Sequence, residues 1–200
     1  STDDESSVSE TDREDLDRYA AELRAMGVGS GEIDLFAAYN QVSDAGTLAF
    51  YDPTTERITV RGTEMSVGLE VTLAHELTHA LQDQHFDLDR ISQSTIDTSA
   101  STVFRALAEG DALRVEQGYQ IAELTEEEQA AYDEEYQGQI DESEEATADV
   151  PAFVSATFSA PYALGQPFAV MLSNQGGNTE VDAAFEEPPT TEESIFDPSS

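Results

Sequence analysis

All three histidines of this chain fall within eleven residues, from His75 to His85, and the first two frame a complete H-E-x-x-H, His75-Glu76-Leu77-Thr78-His79. On an α-helix, residues i and i+4 lie one above the other on the same face. Both imidazoles can therefore aim at a single ion, in the pattern of a zinc site. Glu76 stands one position round the helix from His75. From there its carboxylate is badly placed to share the ion but can reach a water activated by it, which is where a general base is needed. Val71, Leu73, Ala74, Leu77, Ala80 and Leu81 surround these polar residues, which predicts a helix packed on a core along one side with its polar atoms facing a cleft. Buried histidines and a buried glutamate then need partners.

A catalytic zinc takes three protein ligands and keeps a fourth position open, so a third ligand is required. Two residues offer one. His85 has the spacing of the metzincin pattern H-E-x-x-H-x-x-G-x-x-H, but Gln82 stands where that pattern has its turning glycine. A helix that runs on carries His85 about 9 Å further along the axis and roughly 120° away from the His79 direction. The other candidate is Glu109, thirty residues after His79, in a segment made apolar by Val103, Leu107, Ala108 and Leu113. Gly110 follows it in mid-helix, where glycine costs about 1 kcal/mol unless close packing requires it. The string from Thr72 to Leu81 resembles the extended signature of zincin metallopeptidases. The segment around Glu109 resembles the glutamate helix of the gluzincin type, in which a Glu from the next helix completes a His-His-Glu set. That resemblance implies Glu109 as third ligand; helix continuity disfavours His85, which stays as the alternative.

The resemblance reaches beyond the ligands. Gly46 to Pro53, Ile58 to Gly62, the H-E-L-T-H-A-L-Q-D-Q run, Glu109-Gly110-Asp111-Ala112 and Pro161 to Gly165 together are similar to a group of zinc-dependent proteases of halophilic archaea and some bacteria. The likeness covers most of residues 15 to 198. It implies peptide-bond hydrolysis of a peptide or protein substrate, Zn2+ held by His75, His79 and Glu109, and Glu76 as general base. Tyr162 and Arg61 are the candidates for stabilising a developing oxyanion. In zincins the substrate backbone pairs with an edge strand beside the metal helix, and Ile58 to Arg61 is the candidate strand. One departure stands out: gluzincins often carry an Asp four residues after the ligand Glu, and here that position is Leu113. Asp111 points about 160° away from such a residue, which leaves the residue that orients the histidines unassigned. The competing reading is a zinc-stabilised binding or scaffold domain of zincin fold without turnover. A purely structural zinc, however, takes four protein ligands and needs no base, and Glu76 is present.

Composition narrows the setting. The chain has 43 acidic residues against 8 basic ones, a formal net charge of -35, and every basic residue is Arg. Such a charge repels itself and destabilises the compact state unless salt screens it. In molar salt the Debye length falls to about 3 Å and the repulsion nearly vanishes, so a salt-saturated environment is expected. Hydrophobic residues make up 38% of the chain, enough with helical periodicity to build a core rather than a disordered chain. Nucleic acid and anionic membrane surfaces are excluded as partners, because both need clustered Lys and Arg. The absence of cysteine rules out disulfides and thiolate ligands. No stretch approaches the roughly 20 apolar residues of a membrane span. The chain begins at Ser1 without an initiator methionine, which fits a targeting or lipid-anchor segment ahead of it and an extracellular or surface-anchored location in a high-salt organism.

The pattern predicts a disordered acidic N-terminus over residues 1 to 12 and one domain over 13 to 198. Its first helix runs from Arg13 to Met26, with Leu16, Tyr19, Ala20 and Leu23 on one face and Gly27 ending it. A second helix follows Ser30. Residues 47 to 51 and 57 to 61 read as a hairpin through Asp52-Pro53-Thr54. The metal helix spans 67 to 86 and the glutamate helix 98 to 123, followed by an acidic helical extension ending near Gly138. Residues 141 to 149 read as a solvated linker. An apolar segment from Phe153 to Leu172 is interrupted by Pro161, Gly165 and Pro167. A short helix covers Val181 to Phe185, and Pro188-Pro189 opens an extended tail. The class is α+β: a mostly helical, zincin-like domain with a small β-hairpin beside the metal-binding helix.

Overall fold

A computed structural model describes residues 10–28, 33–89 and 99–197. The elements are α1 (Glu10–Ala25), α2 (Leu35–Gly46), β1 (Ala49–Asp52), β2 (Arg57–Val60), α3 (Val67–Phe86), α4 (Ser99–Glu123), α5 (Glu126–Ala146), α6 (Ala152–Gly176), α7 (Asn178–Glu186) and α8 (Glu193–Phe196). The chain is mostly helical, with one two-stranded antiparallel sheet among the described residues, as the α+β reading expects. No described helix is long and apolar enough to cross a membrane.

Two compact units divide the chain. The first takes Ser1–Gly46 with Ile140–Phe158. Its core is Ala20, Leu23, Leu35, Ala38 and Val154, with Leu16 and Ile33 packed against it. Tyr19, on the expected apolar face, is exposed. Asp34 opens α2 by accepting the Ala37 N–H at 2.9 Å, the Asp cap that helix starts favour. Gln41 ties α2 to the end of α5, its Nε2 donating to Ala146 O and to Asp149 Oδ1, each at 2.8 Å.

The second unit, Thr47–Gln139 with Ser159–Ser200, holds every residue of the motif. In the hairpin Ala49 pairs with Val60 and Asp52 with Arg57. Asp52 closes the turn by accepting from Thr54 N and from Thr55 Oγ1, at 3.0 and 2.7 Å. Helix α3 has the predicted bounds. Ser66 caps it by accepting the Leu69 N–H at 3.2 Å, and Asp87 ends it in the left-handed region at φ 57°. Helices α4, α6, α7 and α8 share a core of Val103, Leu107, Phe168, Leu172, Phe185 and Ile195. Gly110 answers its mid-helix cost: a Cβ there would lie 2.1 Å from the Gly165 backbone, and one on Gly165 would lie 1.9 Å from Ala106 O. Only two glycines let α4 and α6 approach this closely.

Several expectations are corrected. Helix α1 starts at Glu10, inside the stretch read as disordered; residues 1–9 lie outside the described residues. Residues 141–146 continue α5 rather than forming a linker. The run is solvated, as expected, but Glu and Ala are good helix formers and need not uncoil to meet water. The segment containing Pro161 and Pro167 is one continuous helix, because burial of Val154, Phe168, Ala169 and Leu172 along it outweighs the lost N–H donors. Past Pro188-Pro189 the chain is not simply extended: α8 folds and buries Ile195. On α3, Leu77 and Leu81 are 55% and 56% exposed, while Val71, His75, Thr78 and Gln82 form the buried stripe. Helix α3 thus turns a largely polar face inward.

Candidate metal centre

The buried stripe of α3 faces α4, and the two helices bring His75, His79 and Glu109 together. His75 Nε2 lies 3.0 Å from His79 Nε2, and Glu109 Oε2 lies 3.4 and 3.3 Å from those two nitrogens. Ligands held tetrahedrally at about 2.0–2.1 Å from a zinc ion sit about 3.3 Å from one another. The spacing of the three atoms matches.

Their hydrogen bonds say what kind of atoms they are. His75 Nδ1 faces Glu116 Oε2 at 3.0 Å, and a carboxylate only accepts, so this nitrogen carries the proton. His79 Nδ1 faces Gln82 Oε1 at 2.9 Å. The Gln82 amide is oriented by its other end, whose Nε2 donates to Ala108 O at 3.1 Å and Asp111 Oδ2 at 3.0 Å. On this assignment both Nε2 atoms present lone pairs. Among the described residues Glu109 Oε2 is buried without a hydrogen-bond partner. Three acceptor atoms therefore converge, an arrangement that a bound cation reconciles and that, without one, a proton on His75 relieves. The donor set, two imidazoles and a carboxylate with carboxylate and amide groups behind them, suits a divalent ion.

The same balance shows in the protonation preferences. Burial alone would lower His75, but the carboxylates of Glu109 and Glu116 more than offset this and raise it. Burial alone would raise Glu109, and the two imidazoles overcome it and hold the carboxyl well below the usual range. Glu76 moves up: burial dominates, and the charges of His79 and His75 only partly oppose it. Its Oε2 accepts the Tyr51 N–H at 2.7 Å. Tyr51 also donates its hydroxyl to Asp83 Oδ2 at 2.8 Å, so β1 is pinned to α3 at two points. The strand whose backbone reaches the site is β1, and not β2, which carries Ile58 to Val60 and ends one residue before Arg61. In the hairpin register the peptide groups of Ala49 and Tyr51 point away from β2.

Tyr162 joins the group. It stacks on His75 with ring centroids 6.4 Å apart, and burial, then the Glu109 carboxylate, pushes its phenol up, so it keeps its proton. Its place follows from Gly165, three residues on and against α4. Arg61 stands at the open end of the hairpin, its N–H on Leu48 O at 2.7 Å and its side chain exposed. The guanidinium beside Glu109 is that of Arg105, 4.0 Å from Oε1. His85 stays outside the ligand group, because α3 continues through it to Phe86 without turning back. Glu116, Gln82 and Arg105 were missed by sequence reasoning. Glu116 carried a signal, since seven residues after Glu109 it returns to the same helix face.

Compared with protein-family models, with curated proteins and with solved structures, the chain matches none of them.

Proposed function

We propose that this chain is a zinc-dependent metallopeptidase of gluzincin type with a zincin-like fold, acting on peptide or protein substrates at high salt. The observation that carries the reading is the convergence of His75 Nε2, His79 Nε2 and the orphaned Glu109 Oε2 beside a carboxylate that is not among the ligands, Glu76. A divalent ion bound there would supply a water acidified to a pKa near 7 and polarise the scissile carbonyl. Glu76 works with one oxygen tied to the Tyr51 N–H, which leaves the other to take the water's proton and deliver it to the leaving amine. Its raised affinity for protons brings it closer to the working pH of a general base. Tyr162, kept protonated and hydrogen-bonded to Glu109, is the donor that would turn to the developing oxyanion. The edge of β1 away from β2, beyond the Tyr51 N–H that Glu76 holds, is the place for an extended substrate backbone.

A structural zinc would want a fourth protein ligand, and among the described residues the group holds three. That favours the enzyme over a scaffold. The test is metal analysis of the protein purified in molar salt, with peptidase activity followed through chelation and reloading. One equivalent of zinc, activity lost on chelation and restored by zinc, is the expected result. Stoichiometric zinc with no peptidase activity would move the reading to the scaffold.

A further inference from the structure

The two histidines are held from behind by different chemistry. His75 leans on a carboxylate, Glu116; His79 leans on a neutral amide, Gln82. An amide can turn either end to a histidine, and the two ends impose opposite tautomers. With Oε1 toward Nδ1, His79 keeps its Nε2 lone pair; with Nε2 toward Nδ1, the imidazole must place its proton on the atom that faces the metal position.

We infer that Gln82 is a positioning residue whose amide direction, set by Ala108 O and by Asp111 with Arg114 behind it, fixes His79 in its metal-binding tautomer. The inference rests on the metal-binding part of the proposed function and on nothing in the hydrolysis. Gln82 is 4% exposed, so water does not choose its orientation. Its Nε2 meets two acceptors, Ala108 O and Asp111 Oδ2. Asp111 in turn is occupied on its other oxygen: Oδ1 accepts from Arg114 Nε at 3.1 Å and Nη2 at 2.8 Å, and that Nη2 also reaches Asn178 Oδ1 at 3.1 Å. Asp111 can thus only accept toward Gln82, and Gln82 can only accept toward His79. The polarity of every hydrogen bond from α7 to the metal ligand runs one way. Asp111 is the residue whose direction on α4 rules it out as a direct orienter; the chain passes its effect through Gln82.

The reversal is testable with an isosteric change. In Asp111→Asn the side-chain oxygen stays with Arg114, the new amide donates toward Gln82, and Gln82 is pressed to turn its Nε2 to His79, opposed only by Ala108 O, which loses its donor in the turn. In the double variant Gln82→Glu/Asp111→Asn, the carboxylate introduced at position 82 accepts both from the amide introduced at position 111 and from His79. The original tautomer then returns, apart from the oxygen that now faces Ala108 O. Cobalt(II) titrations in molar salt, with 15N spectra of labelled histidine in the metal-free folded protein, read both effects. Asp111→Asn should bind cobalt about 10- to 100-fold more weakly, the usual range for such outer partners, and the His79 proton should shift from Nδ1 toward Nε2. The double variant should recover part of the affinity and the Nδ1 proton. Should Asp111→Asn not fold, Gln82→Met carries the same test by removing the acceptor, with weaker binding and mixed His79 tautomers expected. A folded Asp111→Asn or Gln82→Met with wild-type affinity and an unmoved His79 proton overturns the inference while leaving the metal site standing. A wild-type chain that binds no cobalt overturns both.

Discussion

Helices α3 and α5 are both rich in polar residues, and they dispose of them in opposite ways. Helix α3 buries His75, Glu76, Thr78 and Gln82 and gives each a partner, Thr78 by donating its hydroxyl to Ala74 O at 2.8 Å within the helix. Helix α5 has ten carboxylates in 21 residues, no cation and no buried residue. A buried polar group left unpaired costs free energy that shape alone cannot recover, so the polar face of α3 is tolerable only as a completed network, which the proposed ion would close. The carboxylates of α5 give up little by staying wet, and their cost is mutual repulsion, which solvent ions remove. On the proposed reading, one helix depends on a metal and the other on salt. The two helices meet at one carboxylate: Glu135 Oε2 accepts the Gly68 N–H at 2.8 Å, placing one acid of α5 at the positive end of α3.

The largest way to break the contrast is to remove a buried carboxylate. Glu109→Ala leaves two ligands out of three, and zinc affinity measured by competition with a chelator should fall by at least about 100-fold. His85→Ala should leave it unchanged. The reverse result would mean that the end of α3 turns back to the metal.

Next in size is dilution of salt. Falling from molar to about 0.1 M salt lengthens the Debye screening distance from about 3 to about 10 Å. Against a total stability of about 5–15 kcal/mol, many repulsions of a few tenths each suffice to unfold the chain. Circular dichroism through a potassium chloride titration should show loss of helix, with excess zinc moving the midpoint to lower salt because the ion binds only the folded ligand set. A helical signal indifferent to salt down to 0.1 M would contradict this.

Acid sharpens the same contrast. In the metal-free site burial opposes a proton on His75, but Glu109 and Glu116 prevail and raise its pKa to about 9. This raised value stabilises the metal-free fold below about pH 6.5, the ordinary histidine range, and the contribution is lost as pH climbs toward 9. Zinc must displace that proton, so its affinity should rise roughly tenfold per pH unit over this window and then level off. Titrations in buffers of different protonation enthalpy should count one proton released at pH 7.

The smallest effect separates acids within α5. Glu135→Gln should cost about 0.5–1 kcal/mol by weakening the start of α3, whereas Glu134→Gln, on an exposed neighbour, should cost nothing and help at low salt. Equal effects on the thermal midpoint would mean that α5 contributes only its net charge.

How much of this could be read in the sequence varies by residue. The bounds of α3 and the ligand pair followed from local signals, the H-E-x-x-H spacing and an apolar run closed by polar residues. Glu109 needed a resemblance, since a glutamate in a helix is ordinarily solvated, and Gly110 marked it because a mid-helix glycine asks for a close neighbour. Gly165 is that neighbour, which no local pattern could supply. Gln82 sits in plain view within the motif, but its meaning depends on which way its amide points, and that is decided by Asp111 on another helix. The inward turn of α3 was misjudged for a related reason: Leu77 and Leu81 look like core, yet the face they would occupy is taken by residues with partners on α4. Pro161 and Pro167 signal a break locally, and the burial of Phe168 and Leu172, which no local pattern shows, overrides that cost.

The most direct test of the central claim is Glu76→Gln, assayed for bound zinc and for peptide hydrolysis in the same molar-salt preparation. All three ligands remain and the amide still accepts the Tyr51 N–H, so zinc should stay at one equivalent; the amide cannot take a proton from water, so hydrolysis should fall at least about 100-fold. Loss of zinc together with activity, or hydrolysis that survives the substitution, would contradict the account.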